Sequence, residues 1–298
     1  MTCYHPLTAY RTTTGVTFHE SNRHDNIGTL QIACGRCHGC RMRRASDWTL
    51  RIMHEAQSHQ ANCAITLTYA RNKLPKYGSL EHNDYQLFMK RLRKEYAPNR
   101  VRYYMCGEYG EENKRPHYHA CLFGIDFNDR QPMGKSASGA IYYNSPTLER
   151  VWKHGRVSIQ NLTPETAGYC ARYIMKKALG DDAETAYTHT DENGEIHLIT
   201  PEYSAMSLKP GIGADWISKY QRDVYPHDYV IAKGQKHPTP TSYDYHLKRV
   251  NPDALEEVKY KREIRARKNY ADNTDQRLQA KETVHRAKMA TFTRKLQP

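Results

Sequence analysis

Residues Gly107 to Phe123, GEYGEENKRPHYHACLF, constrain this chain more than any other stretch. Val101–Cys106 is a β-favouring run, Glu108–Arg115 is polar with turn formers, and Tyr118–Ile125 is apolar again. That pattern predicts an antiparallel hairpin. In its second arm His117 and His119 flank a single tyrosine. Strand side chains alternate with period two, so both imidazoles leave on the same face. The first arm and the turn bring carboxylates nearby. Two imidazoles and one carboxylate, with open positions left over, make a site for a divalent metal. The chain has 16 histidines in 298 residues, so a solvated surface pair is the competing reading.

Charge narrows the partners. The formal net charge is +13, which favours a polyanion. Tyrosine is overused, 23 residues against 5 Phe, and a ring with a polar tip suits contact with unstacked bases. Together these point to nucleic acid, single-stranded in particular. No stretch reaches the ~18 apolar residues of a membrane span, and MTCYHPLTAYRTTT lacks an apolar signal-peptide core. The expected setting is a cytoplasm without membrane partners.

Cys34, Cys37 and Cys40 form C-G-R-C-H-G-C. In a reducing compartment such spacing reads as metal-binding rather than disulfide-bonded. Tetrahedral zinc needs a fourth ligand; Cys3 is the economical choice, with His5 and His38 as substitutes. Cys63, Cys106, Cys121 and Cys170 lie in apolar runs and read as core. Arg41–His59 is expected to be helical, with Ala45, Trp48, Ile52 and Ala56 inward. Arg41, Arg43 and Arg44 sit on its basic flank and could contact phosphates, or be an ordinary solvated face.

Further along, Asn62–Tyr69 reads as a strand. Tyr85–Glu95 reads as a helix capped by Asn83 or Asp84, with Leu87, Phe88 and Leu92 inward and Lys90, Arg91, Arg93 and Lys94 outward. Asp126–Ser145 reads as a long loop, Arg156–Gln160 as a strand, and Pro164–Leu179 as a helix. Asn193-Gly194 marks a second hairpin. Pro210–Gly213 is a turn before a short helix at Ala214–Asp223. Asp253–Leu296 holds charged helical runs, an amphipathic or partly disordered basic tail. The expected fold is α+β, a central antiparallel sheet with helices packed on it, a Cys-rich N-terminal element and a helical C-terminal tail. The expected domains are 1–60 (Cys-rich element and basic helix), 61–182 (core), 183–245 (hairpin and loop extension) and 246–298 (basic tail).

The helix from Pro164 carries Y-C-A-R-Y-I-M-K-K at 169–177. Tyr169 and Tyr173 are i, i+4 and share a face, and Lys176 follows on it. Aromatic packing with a snorkelling lysine is the plain alternative. Phenol is a weak nucleophile because its pKa is about 10. It becomes useful beside a cation and opposite a phosphodiester polarised by a metal.

Ile65-Thr66-Leu67-Thr68-Tyr69, then R-P-H-Y-H at 115–119, then Y-x-x-x-Y-x-x-K-K at 169–177 resemble the three ordered motifs of HUH rolling-circle replication initiators. The tyrosine pair is similar to the two-tyrosine class. The Cys-rich start, I-M-H-E-A-Q at 52–57 and P-G-I-G at 210–213 resemble replication-associated proteins of microviruses, gokushovirus-like phages in particular. The resemblance implies an HUH endonuclease core of ferredoxin or RRM-like type. It implies His117 and His119 as metal ligands, Glu108 as the third with Glu111 second, and Mg²⁺ or Mn²⁺ as the ion. Tyr169 and Tyr173 would be nucleophiles and Lys176 the phosphate-stabilising lysine, with Lys177 beside it on the DNA. The implied activity is site-specific nicking and strand transfer that starts rolling-circle replication of a small circular genome in the cytoplasm of a bacterial host. Implied partners are single-stranded and replicative-form origin DNA. No G-x4-G-K-[ST] P-loop is present, so a host helicase and polymerase are expected too. Alternatives are a plasmid relaxase or transposase of the same fold, or a non-catalytic zinc-stabilised binding protein. A zinc deaminase lacks its required H-x-E and P-C-x-x-C order here.

Overall fold

In a computed structural model, residues 3–19, 26–110, 113–136, 139–172 and 185–294 are described. They belong to two contact units, Met1–Arg44 with Lys259–Pro298, and Ala45–Val258. The fold is α+β, with a large antiparallel sheet and eight α-helices among the described residues.

The first unit opens with β1 (Leu7–Thr12), β2 (Gly15–Thr17) and β3 (Asn26–Ile32), an antiparallel sheet in the order β2-β1-β3. The sequence reading assigns no strand here. The reason is visible in β1, where Ala9 alone is buried and threonines and Arg11 blur the alternation. The cysteine run then leads into α1 (His38–Ala56), which starts three residues before the expected Arg41.

In the second unit, the end of α1 presents Ile52, Trp48, Met53 and Ala56 to the large sheet, as its periodicity predicts. Strand β4 (Asn62–Tyr69) matches the expected bounds. Helix α2 (His82–Glu95) buries Tyr85, Phe88, Met89 and Leu92, a stripe at helical spacing. Burying each such side chain contributes about 2 kcal/mol. Two details differ from expectation. Leu87 is exposed, because the stripe runs through Met89 instead, and the cap is Glu81, whose carboxylate accepts the Asn83 N–H.

Strands β5 (Arg102–Tyr109) and β6 (Pro116–Phe123) form the expected hairpin. The supposed loop at Asp126–Ser145 contains β7 (Gln131–Lys135) and β8 (Ile141–Asn144). These strands carry a register shift between Pro132 and Gly134, residues that read as turn formers and are tolerated only at a sheet margin. Helix α3 (Pro146–Trp152), capped by Ser145, and strand β9 (Gly155–Asn161) follow. Gly155 is obligatory: a Cβ there would collide with the backbone of Thr68 and Ala70, and its φ is +155°. Next come α4 (Pro164–Arg172), then β10 (Thr188–Thr190) and β11 (Ile196–Leu198) around Asn193-Gly194, and β12 (Tyr203–Met206).

The large sheet has the order β12-β5-β6-β4-β9-β8-β7, antiparallel throughout. Its two faces have different fates. One packs Leu67, Tyr118, Ala120, Leu122 and Ile159 on Phe88 and Leu92 of α2 and Leu148 and Trp152 of α3. The other packs Tyr104, Cys106, Cys121 and Phe123 on Ile52 of α1 and Ala167 and Cys170 of α4. Cys63, Cys106, Cys121 and Cys170 are all buried.

Helix α5 (Ala214–Val224), the pair β13 (Tyr229–Ala232) and β14 (Gln235–Pro238), helix α6 (Thr241–Val250) and the start of α7 (Pro252–Lys268) close a second core with Leu50. I-M-H-E-A-Q and P-G-I-G, distant in sequence, meet here. Glu55 Oε2 accepts the Gly213 N–H at 2.8 Å and Glu55 Oε1 accepts from Arg102 Nε at 2.5 Å. Arg102 and Arg51 in turn donate to Pro210 O (2.8 Å) and Ile212 O (3.1 Å). A buried carboxylate and a buried guanidinium are tolerated because each is paired. Helix α8 (Asp275–Arg294) ends the described chain, so the basic tail is helical.

Candidate functional site

Register places the site. On adjacent antiparallel strands, directly opposed residues point to the same face. Glu108 opposes His117, His117 opposes Thr68, and Thr68 opposes Arg156. The next row is Cys106, His119, Thr66 and Ser158. One face of four strands therefore offers a carboxylate, two imidazoles, two threonine hydroxyls, a serine and an arginine. Rows farther along turn apolar (Tyr104, Cys121), and α1 and α4 cover them.

The two rings converge on one oxygen. His117 Nε2 lies 2.5 Å and His119 Nε2 3.1 Å from Glu108 Oε1. Each ring is held from behind: His117 Nδ1 faces Arg115 O at 3.1 Å, and His119 Nδ1 faces Thr66 Oγ1 at 2.9 Å. A ring whose Nδ1–H donates behind it leaves Nε2 as a lone pair for a metal. Burial pushes the Glu108 carboxyl up, but the hydrogen bonds from His117 and His119 more than offset this and hold it below the ordinary glutamate range. Glu108 Oε2 is buried and meets no hydrogen-bond partner among the described residues. An unsatisfied buried carboxylate oxygen beside two imidazoles is the donor set a divalent cation satisfies. Glu111, the second choice for this role, lies outside the described residues.

Helix α4 brings a phenol to this site. Its buried side is Ala167, Gly168, Cys170 and Ala171, small residues that let the helix lie close on the sheet. Tyr169 points the other way, 45% exposed, with its ring edge-on to His119 at 5.0 Å between centroids and 86° between planes. Tyr173, Lys176 and Lys177 lie outside the described residues.

A second group is the cysteine cluster in the first unit. The sulfur atoms of Cys3, Cys34, Cys37 and Cys40 all lie within 4.8 Å of one another. Cys3–Cys34 and Cys3–Cys37 measure 3.6 and 3.9 Å, and a tetrahedral ion with ~2.3 Å zinc–sulfur bonds separates sulfurs by about 3.8 Å. Backbone amides of Tyr4 and Cys37 point at Cys37 Sγ and Cys34 Sγ, each at 3.3 Å. Burial raises the Cys37 thiol, yet donors from Tyr4 and Cys40 outweigh it and bring it to about 6, a thiolate at neutral pH. Cys3 completes the group; His5 pairs with Glu282 and His38 packs edge-on to His285.

The remaining expected DNA contacts are not gathered at the Glu–His–His site. Lys90, Arg91 and Arg93 lie on α2, which packs the opposite face. Arg91 donates to Val151 O (2.7 Å) and Trp152 O (3.2 Å), and Arg93 Nε to Val101 O (3.4 Å). Arg41, Arg43 and Arg44 belong to the first unit. Sequence reading misses Thr66, Thr68 and Arg156. Their signal is the pairing itself, since each is unremarkable alone. It also misses Asp191, Glu195 and His197 in the β10–β11 hairpin, a third group able to hold a metal. There both carboxylate oxygens of Asp191 are already engaged, by Asn193 N and Glu195 N and by His197 at 2.8 Å. This group needs no ion.

Comparison with known proteins bears on this geometry. The family model for replication-associated proteins of the ORF2 type matches residues 62–178, the stretch containing Glu108, His117, His119 and Tyr169. Replication-associated protein VP4 of Bdellovibrio phage phiMH2K is 30% identical over 291 residues, covering 92% of this chain and 88% of the relative. The chain belongs to the phage replication-associated proteins. Replication-associated protein ORF2 of Spiroplasma virus 4 is 31% identical, with 88% of this chain and 86% of the relative covered. Replication-associated protein ORF4 of Chlamydia phage 1 is 24% identical over 80% of this chain and 59% of the relative. No solved structure matches. For this replication-associated protein, no described helix is long and apolar enough to cross a membrane.

Proposed function

We propose that this replication-associated protein nicks one strand of origin DNA, keeps the 5′ end as a phosphotyrosine, and so starts rolling-circle replication of a small circular genome. The observation that carries the reading is the convergence of Glu108, His117 and His119 on one sheet face with Tyr169 against His119. Mg²⁺ or Mn²⁺ held by those three residues would polarise a phosphodiester and spread its developing charge. Tyr169 Oη forms the new bond to phosphorus, the bond to the 3′ oxygen breaks, and the phenol proton ends on that oxygen through solvent. The energy of the phosphodiester stays in the phosphotyrosine, so a second attack can rejoin the strand without a nucleotide cofactor. Tyr173 would make that attack, and Lys176 would favour the phenolate. Zn²⁺ held by Cys3, Cys34, Cys37 and Cys40 would be structural. Unwinding and synthesis would fall to a host helicase and polymerase in the bacterial cytoplasm.

The test is incubation of the full chain with Mn²⁺ and labelled single-stranded origin DNA, followed by denaturing electrophoresis. A covalent adduct is expected, lost on chelation and absent from the Tyr169→Phe, Tyr173→Phe double variant. An adduct in the double variant overturns the tyrosine assignment. Chelator-insensitive binding without any adduct from the native chain favours a non-catalytic binding protein.

A further inference from the structure

The positive charge is not shared between the two units. Met1–Arg44 and Lys259–Pro298 together carry 18 Lys and Arg against 6 Asp and Glu, a formal +12. Ala45–Val258, which holds Glu108, His117, His119 and Tyr169, carries 27 against 26. The chemistry therefore sits in a nearly neutral unit, while almost all of the chain's +13 lies elsewhere.

That basic unit is built from both ends of the chain, and the cysteine cluster is where they join. Beside Cys3, Tyr4 Oη meets His285 Nδ1 at 2.7 Å and His5 Nε2 meets Glu282 Oε2 at 2.7 Å, both on α8. Beside Cys37, His38 packs on His285 with centroids 4.8 Å apart. Along α8 runs a groove of about 400 Å³ lined by Tyr4, Arg277, Lys281, His285 and Lys288. The last four are spaced by four, four and three, so they share one helix face. This row already holds an oxyanion: the Asp272 carboxylate lies 2.9 Å from Arg277 and 2.6 Å from Lys281.

We propose that this cysteine-closed unit is a DNA-binding module separate from the reaction site, and that the α8 groove takes backbone phosphates of the DNA. The proposal rests on DNA being the substrate. Phosphate oxygens replace the Asp272 carboxylate on Arg277 and Lys281, and Lys288 extends the row. The module supplies sequence-independent affinity, which scales with counterions released, while the neutral unit supplies chemistry.

Fluorescence anisotropy of the full chain with a labelled single strand lacking origin sequence, across a salt series, tests this. The Arg277→Gln, Lys281→Gln, Lys288→Gln triple variant should flatten the slope of log K against log salt by about 2, three contacts at roughly 0.7 each. A charge-preserving triple (Arg277→Lys, Lys281→Arg, Lys288→Arg) should keep the native slope. Lys219→Gln, Lys236→Gln, Lys248→Gln, an equal charge loss in the other unit, should keep it as well. A duplex arm tells which form of DNA the groove prefers. A native slope in the groove triple, with bound zinc and circular dichroism also native, overturns the proposal, as does an equal loss in the control triple. Adduct formation is measured separately. A slope difference without any adduct leaves the module standing and removes the nuclease.

Discussion

His117 and Glu108 stand directly opposite each other on neighbouring antiparallel strands, with Nε2 and Oε1 2.5 Å apart. The pair joins the two arms of one hairpin, so any change at either residue is felt by a site built within that hairpin. Glu108→Gln keeps the shape and removes the charge. Adduct formation should slow by about a hundredfold or more, the loss of several kcal/mol of charge stabilisation. The measurement is single-turnover adduct yield with Mn²⁺; a native rate would remove Glu108 from the metal site.

Thr66 holds the far side of His119 through a 2.9 Å contact with Nδ1. Thr66→Val preserves the β-branched shape and removes that partner. Mn²⁺ affinity, read by calorimetry, should drop about 10- to 100-fold, as outer-shell substitutions at metal-binding histidines do. Thermal stability should change little, because the residue is only partly buried.

Arg156 closes the row Glu108, His117, Thr68, Arg156 across four strands, and its side chain is exposed. At about 5 Å per strand it stands roughly 10 Å from His117, placed for a neighbouring phosphate. Arg156→Gln should raise the half-saturating DNA concentration for adduct formation about tenfold. It should also flatten the salt slope by about 1, with Arg156→Lys restoring the slope. A rise in half-saturation with an unaltered slope would argue for a packing role.

His54 is buried, stacks on Trp216 with centroids 3.6 Å apart, and its Nδ1 meets Tyr243 Oη at 2.7 Å. Burial lowers its pKa from 6.5 to about 4. A histidine depressed in the folded state stabilises the fold above its unfolded pKa, and that stability is lost as pH falls from 6.5 toward 4. The loss is about 3 kcal/mol. Denaturant midpoints should fall over this window in the native chain, and the fall should be shallower in His54→Gln. Parallel curves would show that His54 does not set the acid limb.

What is legible in the sequence follows from the range of the forces involved. Period-two alternation at His117 and His119 and the helical spacing of Tyr85, Phe88 and Leu92 are local, so strand and helix can be read directly. Local pattern misplaces Leu87 because neighbouring stripes on a helix differ by one residue, and only the shape of the sheet chooses between Leu87 and Met89. Strands β7 and β8 read as loop because Pro132 and Gly134 carry turn propensity, which pairing with the sheet overrides.

By itself the sequence determined the residue types of the site, the hairpin that carries the histidines, the tyrosine helix and the cysteine spacing, because each is a pattern within some twenty residues. Only the tertiary structure decided that Glu108 faces His117, that Thr66 and Arg156 share their rows, and that Glu55 meets Gly213. It also decided that Cys3, Tyr4 and His5 lie with α8, nearly the whole chain away. Those are pairings between segments, and the free energy that selects them comes from burying two surfaces together, which no local pattern encodes.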